Sequence, residues 1–233
     1  MARREWAKKL NIDPYTSNPV LRPLLDNAAS ATFAGNFAVS LTLGAVVAPI
    51  NYAHQLDDTV RQSVWNKPAI DLEKENGEKL IAMGVQARAV RDLQRNKWFS
   101  PTLQSALVAR LEAFGNISGI ESVVKAATVT QGESRARFLL ESLGMLVTHH
   151  QKKGKFASIK MSNLVPVGVA ADGSIVVSVA IDYGTWSKET AAFAQRTDFN
   201  TAKKAMLVAG KLSPRTQEAF EKSGWTIKAG LRS

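Results

Sequence analysis

The stretch Asn163–Ile181, NLVPVGVAADGSIVVSVAI, decides the fold. Both of its ends are rich in β-branched residues, and Asp172 and Gly173 between them supply the positive φ angles that a tight turn needs, so it reads as a β-hairpin. IVVSVAI is almost continuously apolar, as in a strand covered on both faces. Downstream the elements alternate. SKETAAFAQR (187–196) reads as a short helix capped by Ser187 and KAMLVAG (204–210) as a strand. SPRTQEAFEKSG (213–224) is a helix with Ser213 as cap and Pro214 in first position, and WTIKAG (225–230) is a last strand. Strand, helix, strand, helix, strand at these lengths implies parallel pairing through right-handed crossovers. Residues 155–233 are therefore expected to form a small α/β unit, a hairpin plus βαβαβ with a mostly parallel sheet.

Upstream of Lys155 the period is helical, which makes residues 1–154 a mainly helical part and the whole chain α+β. In SPTLQSALVARLEAFG (100–115), Ser100 caps, Pro101 takes the first helical position and Gly115 ends the run. Leu103, Leu107, Leu111 and Phe114 then share one face. ISGIESVVKAAT (117–128) places Ile120, Val123, Val124 and Ala127 at helical spacing, and Ala136, Leu139, Leu140, Leu143, Leu146 and Val147 repeat the pattern. Leu80, Ile81, Val85, Val90 and Leu93 suggest a helix pair broken at Gly84. Successive amphipathic helices imply a bundle.

The stretch Asn27–Leu56 carries no Asp, Glu, Lys or Arg. Ser40, Gly44 and Ala48 fall four apart, as do Ala31 and Gly35, so a helix over 28–50 would offer small-residue faces for close packing within the chain or in a homo-oligomer. Strand-like alternation runs through the same residues, but their Ala and Gly content favours helix. The length would suffice to cross a bilayer, while Ser30, Thr32, Asn36, Ser40 and Thr42 dilute the hydrophobicity and favour a buried helix. The basic start MARREWAKKL is followed by NIDPYTSNP rather than an apolar run, so no cleavable secretory signal is visible.

Composition limits the function classes. With 233 residues, no Cys and a formal charge of +10, the chain has no disulfide, zinc-ribbon, iron–sulfur or thiol chemistry, and anionic partners are favoured. Residues 152–233 hold 13 basic against 6 acidic side chains. Lys152, Lys153, Lys155, Lys203 and Lys204 could present a basic surface to phospholipid headgroups or to nucleic acid. No RRM, KH or helix-turn-helix pattern accompanies them.

WAKKLNIDPYTSNPVLRPLL (6–25), FSPTLQSALVARLEAF (99–114) and GKLSPRTQEAFEKSGWTI (210–227) resemble segments of uncharacterised bacterial proteins, some of them longer at the N-terminus and exported. The resemblance implies a bacterial source and leaves the compartment open, with an envelope association if an N-terminal signal is missing from this chain. It carries no named activity and no catalytic residue.

Motifs for chemistry are weak. His149 and His150 are adjacent near a helix end, with no His or carboxylate at i−4, so they do not make a metal site and are expected to face the helix dipole with Lys152 and Lys153. GNISG around Ser118 lacks the spacing of a nucleophile elbow, and Ser118 is expected to cap a helix. Ser122 and Lys125 form S-x-x-K without its companion motifs. AMLVAGKLS lacks the glycines of a phosphate-binding loop, although the helix start beside Lys211 could hold an anion. Position is more informative, because ligands of open parallel sheets bind beyond the carboxyl ends of the strands. Asp182, Tyr183, Trp186, Lys211 and Ser213 would meet there. The reading is a non-enzymatic binding or interaction protein, engaging an anionic membrane surface or a protein partner, with no cofactor and no metal. The alternatives are an enzyme or small-ligand binder with Asp182 as acid or base and Lys211 as anion holder, and a nucleic-acid binder.

Overall fold

The computed structural model describes residues 2–33, 58–201 and 203–231. Among the described residues, eight α-helices come first: α1 (Ala2–Lys9), α2 (Leu21–Phe33), α3 (Asp58–Asn66), α4 (Ala69–Ala82), α5 (Ala87–Arg95), α6 (Pro101–Glu112), α7 (Ile120–Thr128) and α8 (Glu133–Lys152). β1 (Phe156–Ser162), β2 (Val165–Ala170), β3 (Ile175–Val179), β4 (Tyr183–Gly184), α9 (Lys188–Ala194), β5 (Lys204–Val208), β6 (Lys211–Leu212), α10 (Pro214–Lys222) and β7 (Trp225–Lys228) follow. A single 3₁₀ turn, Thr197–Phe199, separates α9 from β5. The helical part and the strand-bearing part therefore change over at residues 152–156.

α6 is the hub of the helical part. Ser100 accepts the Leu103 N–H at 3.3 Å as its cap, and the expected face of Leu103, Leu107, Leu111 and Phe114 is buried. Thr102, Ala106 and Val108 are buried too, so α6 is enclosed nearly all round rather than on one stripe. Around it pack Leu72 and Leu80 of α4, Val90 and Leu93 of α5, Val123 and Val124 of α7, and Leu139, Leu140, Leu143 and Leu146 of α8. Ile81 departs from expectation: it points to solvent at 54% exposure, because the break at Gly84 leaves α5 to cover only the other side of α4.

The main sheet has the order β1-β2-β3-β5-β7, with β1, β2 and β3 antiparallel and β3, β5 and β7 parallel. The expected hairpin and the strand–helix alternation are present. In the main sheet the sequence does not announce β1, whose FASIKMS mixes polar and apolar residues because it lies at the edge. The β2–β3 turn also differs from expectation. Gly173 has φ 79°, but Asp172 keeps a negative φ; Ala170 accepts from the Gly173 N–H at 3.0 Å, and the Asp172 carboxylate accepts from the Ser174 N–H at 3.0 Å. This is a longer loop with one left-handed residue, in place of a two-residue turn with two.

The sheet is covered on both faces, as the apolar β3 requires. One face, with Phe156, Ile159, Val176 and Leu207, joins the core of the helical part under α8. The other, with Val167, Val177, Met206 and Val208, packs under α9 and α10 on an aromatic cluster of Phe193, Phe199, Phe220 and Trp225. The loop before α7 runs along the free edge of β1: the Ile159 N–H donates to Ser118 O at 2.9 Å, and the Ser118 N–H to Ala157 O at 3.3 Å. Ser118 is therefore bound to the sheet and does not cap α7, whose cap position is Gly119 at φ 92°.

His150 ties the two parts together. It is 3% exposed, its Nδ1 accepts the Phe156 N–H at 2.9 Å, and its ring meets Phe114 edge-on. The expectation that His150 faces the helix dipole with Lys152 and Lys153 is thus corrected: it faces Phe114 and Phe156. Burial, then the charge of Lys155, hold its pKa below the ordinary 6.5. A histidine depressed in the folded state takes up its proton more readily when unfolded. Its contribution is complete above about pH 6.5 and is lost as the pH falls below that value. Thermal unfolding measured between about pH 7.5 and pH 5 is expected to show a falling midpoint, and His150→Asn, which keeps an acceptor but cannot titrate, a shallower fall. Equal slopes would remove His150 from the pH dependence.

Candidate functional site

The five residues expected beyond the strand ends are brought to one end of the sheet, but mainly by their backbones. β4 and β6 pair in parallel, Tyr183 opposite Lys211 and Gly184 opposite Leu212. The Gly210 N–H donates to Ile181 O (2.8 Å), the Lys211 N–H to Asp182 O (2.9 Å) and the Ser213 N–H to Gly184 O (2.9 Å). The two loops that would wall a crevice are thus laced to each other. Ser213 is used as the cap of α10, accepting the Thr216 N–H at 3.2 Å, and Trp186 lies edge-on to Phe220 at 5.6 Å. Asp182, Tyr183 and Lys211 are exposed, and Tyr183 and Lys211, as register partners, leave the pair on the same face. β4 and β6 themselves were not legible, each being two residues long.

The lysines sit at the opposite end. Phe156 lies opposite Ala170, Ile175 opposite Lys204, and Lys204 opposite Trp225, so β1, β3, β5 and β7 all begin along one rim. Lys152, Lys153 and Lys155, at the end of α8 and the start of β1, are exposed and form no ion pair among the described residues. Three strand spacings, about 14 Å, separate Lys155 from Lys204. Lys203 reaches Asp172 at 3.7 Å, and Lys204 Nζ lies 5.1 Å from the Trp225 ring centroid. Segments far apart in sequence therefore deliver five cations and one carboxylate to a single rim.

The weaker motifs dissolve on inspection. Ser122 donates to Gly119 O at 2.7 Å while Lys125 pairs with Glu121 at 3.1 Å, so they do not act on one another. Among the described residues, no group of three or more His, Asp or Glu gathers to hold a metal ion. No helix of the described residues is long and apolar enough to cross a membrane. The stretch 28–50 enters α2 as far as Phe33; its remaining small-residue faces, with the bilayer and oligomer readings attached to them, lie outside the described residues.

Two clefts in the helical part were not foreseen. One of about 430 Å³ lies between α3, α4 and α6, and the ion pairs Lys67–Glu75 (2.6 Å) and Lys79–Glu112 (3.0 Å) neutralise its walls. The other, of about 320 Å³, is bordered by Arg3, Arg22, Lys97 and Glu73 near the start of α6. Close to it Asp13 accepts from Thr102 Oγ1 (2.5 Å) and the Tyr15 N–H (2.8 Å); burial raises its pKa, and both hydrogen bonds oppose that rise. The available signal was the sequence ARAVRDLQRNKW (87–98), which puts Arg88, Arg91 and Arg95 on one face of α5 just before Lys97 and Trp98. No protein-family model matches the chain, and no curated protein or solved structure does either.

Proposed function

We propose that this protein is a non-enzymatic binding protein that docks on an anionic membrane surface through the lysine rim at the start of the sheet. The observation that carries this reading is the gathering of Lys152, Lys153, Lys155, Lys203 and Lys204 along one rim, three of them without an ion pair among the described residues. A rim of this kind attracts anionic lipid with about 1 kcal/mol for each lysine near the surface, and salt screens the attraction. The alternative of an enzyme or small-ligand binder at the other end has less support, because main-chain bonds between β4 and β6 occupy the line along which a crevice would open.

The test is co-sedimentation with phosphatidylglycerol and with phosphatidylcholine vesicles at low salt, with duplex DNA in parallel. The triple variant K152E/K153E/K155E is expected to bind phosphatidylglycerol vesicles about tenfold more weakly or worse, each tenfold corresponding to about 1.4 kcal/mol. Unchanged vesicle binding would overturn the reading. DNA binding stronger than vesicle binding, lost in the same variant, would replace the membrane by nucleic acid.

A further inference from the structure

The N-terminal end of α8, about 30 Å from the lysine rim along a 20-residue helix, carries a different surface. There Asn96 Nδ2 donates to the carbonyls of Ala127, Thr128 and Thr130, at 2.9, 3.2 and 3.0 Å, which pins the Asn96–Trp98 loop on the end of α7. Asn96 Oδ1 accepts the Trp98 N–H at 3.0 Å, so the same side chain fixes both Trp98 and the Thr128–Thr130 turn that carries Val129. Trp98 is 36% exposed and Val129 74%, and Lys97 Nζ stands 4.9 Å from the Trp98 ring centroid. Lys97 also borders the 320 Å³ cleft with Arg22, Arg3 and Glu73. Arg3 pairs with Asp26 at 3.3 Å, and its Nε is buried with no hydrogen-bond partner among the described residues. Arg22 and Lys97 are exposed and form no ion pair among the described residues. Arg91 and Arg95, also exposed, lie on α5 just before Lys97.

We infer that this corner is a second docking site, for the surface of an anionic phospholipid bilayer, with lipid phosphates at Arg22 and Lys97 and the Trp98 ring in the interfacial layer. Cations alone would suit any phosphate. An exposed amphipathic indole with a cation over its ring fits a phase that is polar above and apolar below, which a soluble phosphate or a nucleic-acid backbone does not offer. The two kinds of contact also respond differently to salt. Headgroup attraction is screened, whereas burial of Trp98 and Val129 is not.

The experiment uses the full chain in the K152E/K153E/K155E background, so that the rim no longer contributes, with phosphatidylglycerol vesicles at low and high salt. That parent is expected to retain binding that persists in part at high salt. Adding W98A is expected to remove the salt-resistant part, about tenfold, and adding R22E/K97E the salt-sensitive part. Glycerol phosphate at millimolar concentration is expected not to displace the vesicles. Complete loss of vesicle binding in the parent would overturn this site and leave the lysine-rim reading standing. Binding in the parent equal to wild type, lost on adding R22E/K97E, would support this site and overturn the rim. Displacement by glycerol phosphate, or a W98A loss no larger on vesicles than on duplex DNA, would also overturn the bilayer as ligand.

Discussion

Gly119→Ala is expected to lower the unfolding free energy by about 2–5 kcal/mol, measured by urea denaturation. Two costs add. A Cβ at φ 92° takes a non-glycine residue into the left-handed region, about 1–2 kcal/mol. The same Cβ would stand 1.9 Å from Ile159 O, a backbone atom of β1 itself, so relief requires the loop to lift off the strand, and crowding of this kind costs about 1–3 kcal/mol. The damage is expected to spread beyond stability. When the loop lifts, the outer edge of β1 loses its cover, and an exposed edge strand is a template for association. Light scattering should therefore rise along the unfolding transition of the variant. A loss under about 0.5 kcal/mol would mean that the loop does not hold β1 in solution.

Gly210→Ala is the second large effect, about 1–3 kcal/mol on the crowding argument. The added Cβ would lie 1.9 Å from Asp182 O and 2.5 Å from its carbonyl carbon, with no flexible side chain to move aside. Its φ is not in the left-handed region, so this cost is steric alone. Relief requires β4 and β6 to part. Hydrogen exchange at the Lys211 and Ser213 amides, which bond across that pair, should accelerate in the variant while the Met206 and Leu207 amides of the central sheet stay protected. A fully stable variant with accelerated exchange at these two amides would show that the pairing is dispensable, and a ligand crevice between Asp182 and Lys211 would regain ground; unchanged exchange would show that the Cβ is accommodated without parting the strands.

How much could be read in advance varies with how locally a feature is encoded. The caps at Ser100, Ser187 and Ser213 and the buried faces of α7 and α8 follow from short-range sequence patterns, and all are as expected. β1 is different: it is a strand because β2 and the Ser118 loop bond to either side of it, and its own sequence does not alternate cleanly. His150 was misjudged for the same reason. Its acceptor role depends on Phe156, and its burial on Phe114, neither of which its helix predicts. Strand topology brings the loops that carry Asp182, Tyr183, Lys211 and Ser213 to one end of the sheet. Their main-chain pairing was not legible, because it depends on two residues at each loop and on a glycine that admits a neighbouring carbonyl. The Trp98 corner is not legible in the sequence because Arg22 and Lys97 meet only at the 320 Å³ cleft, and because the Asn96 bonds that fix the loop reach Thr128 and Thr130, more than thirty residues on.

The strand order also bears on how the chain folds. β1, β2 and β3 are joined by loops of two and four residues, so their contacts are local and close early, whereas β5 and β7 each wait for a crossover through a helix. Until Lys204–Val208 arrives, the far side of IVVSV is an unpaired apolar edge. During synthesis that edge emerges some thirty residues before the strand that covers it. The nascent chain is then most prone to misassociation late, with the helical part already synthesised, and a chain ending short of β5 would keep that exposed edge permanently.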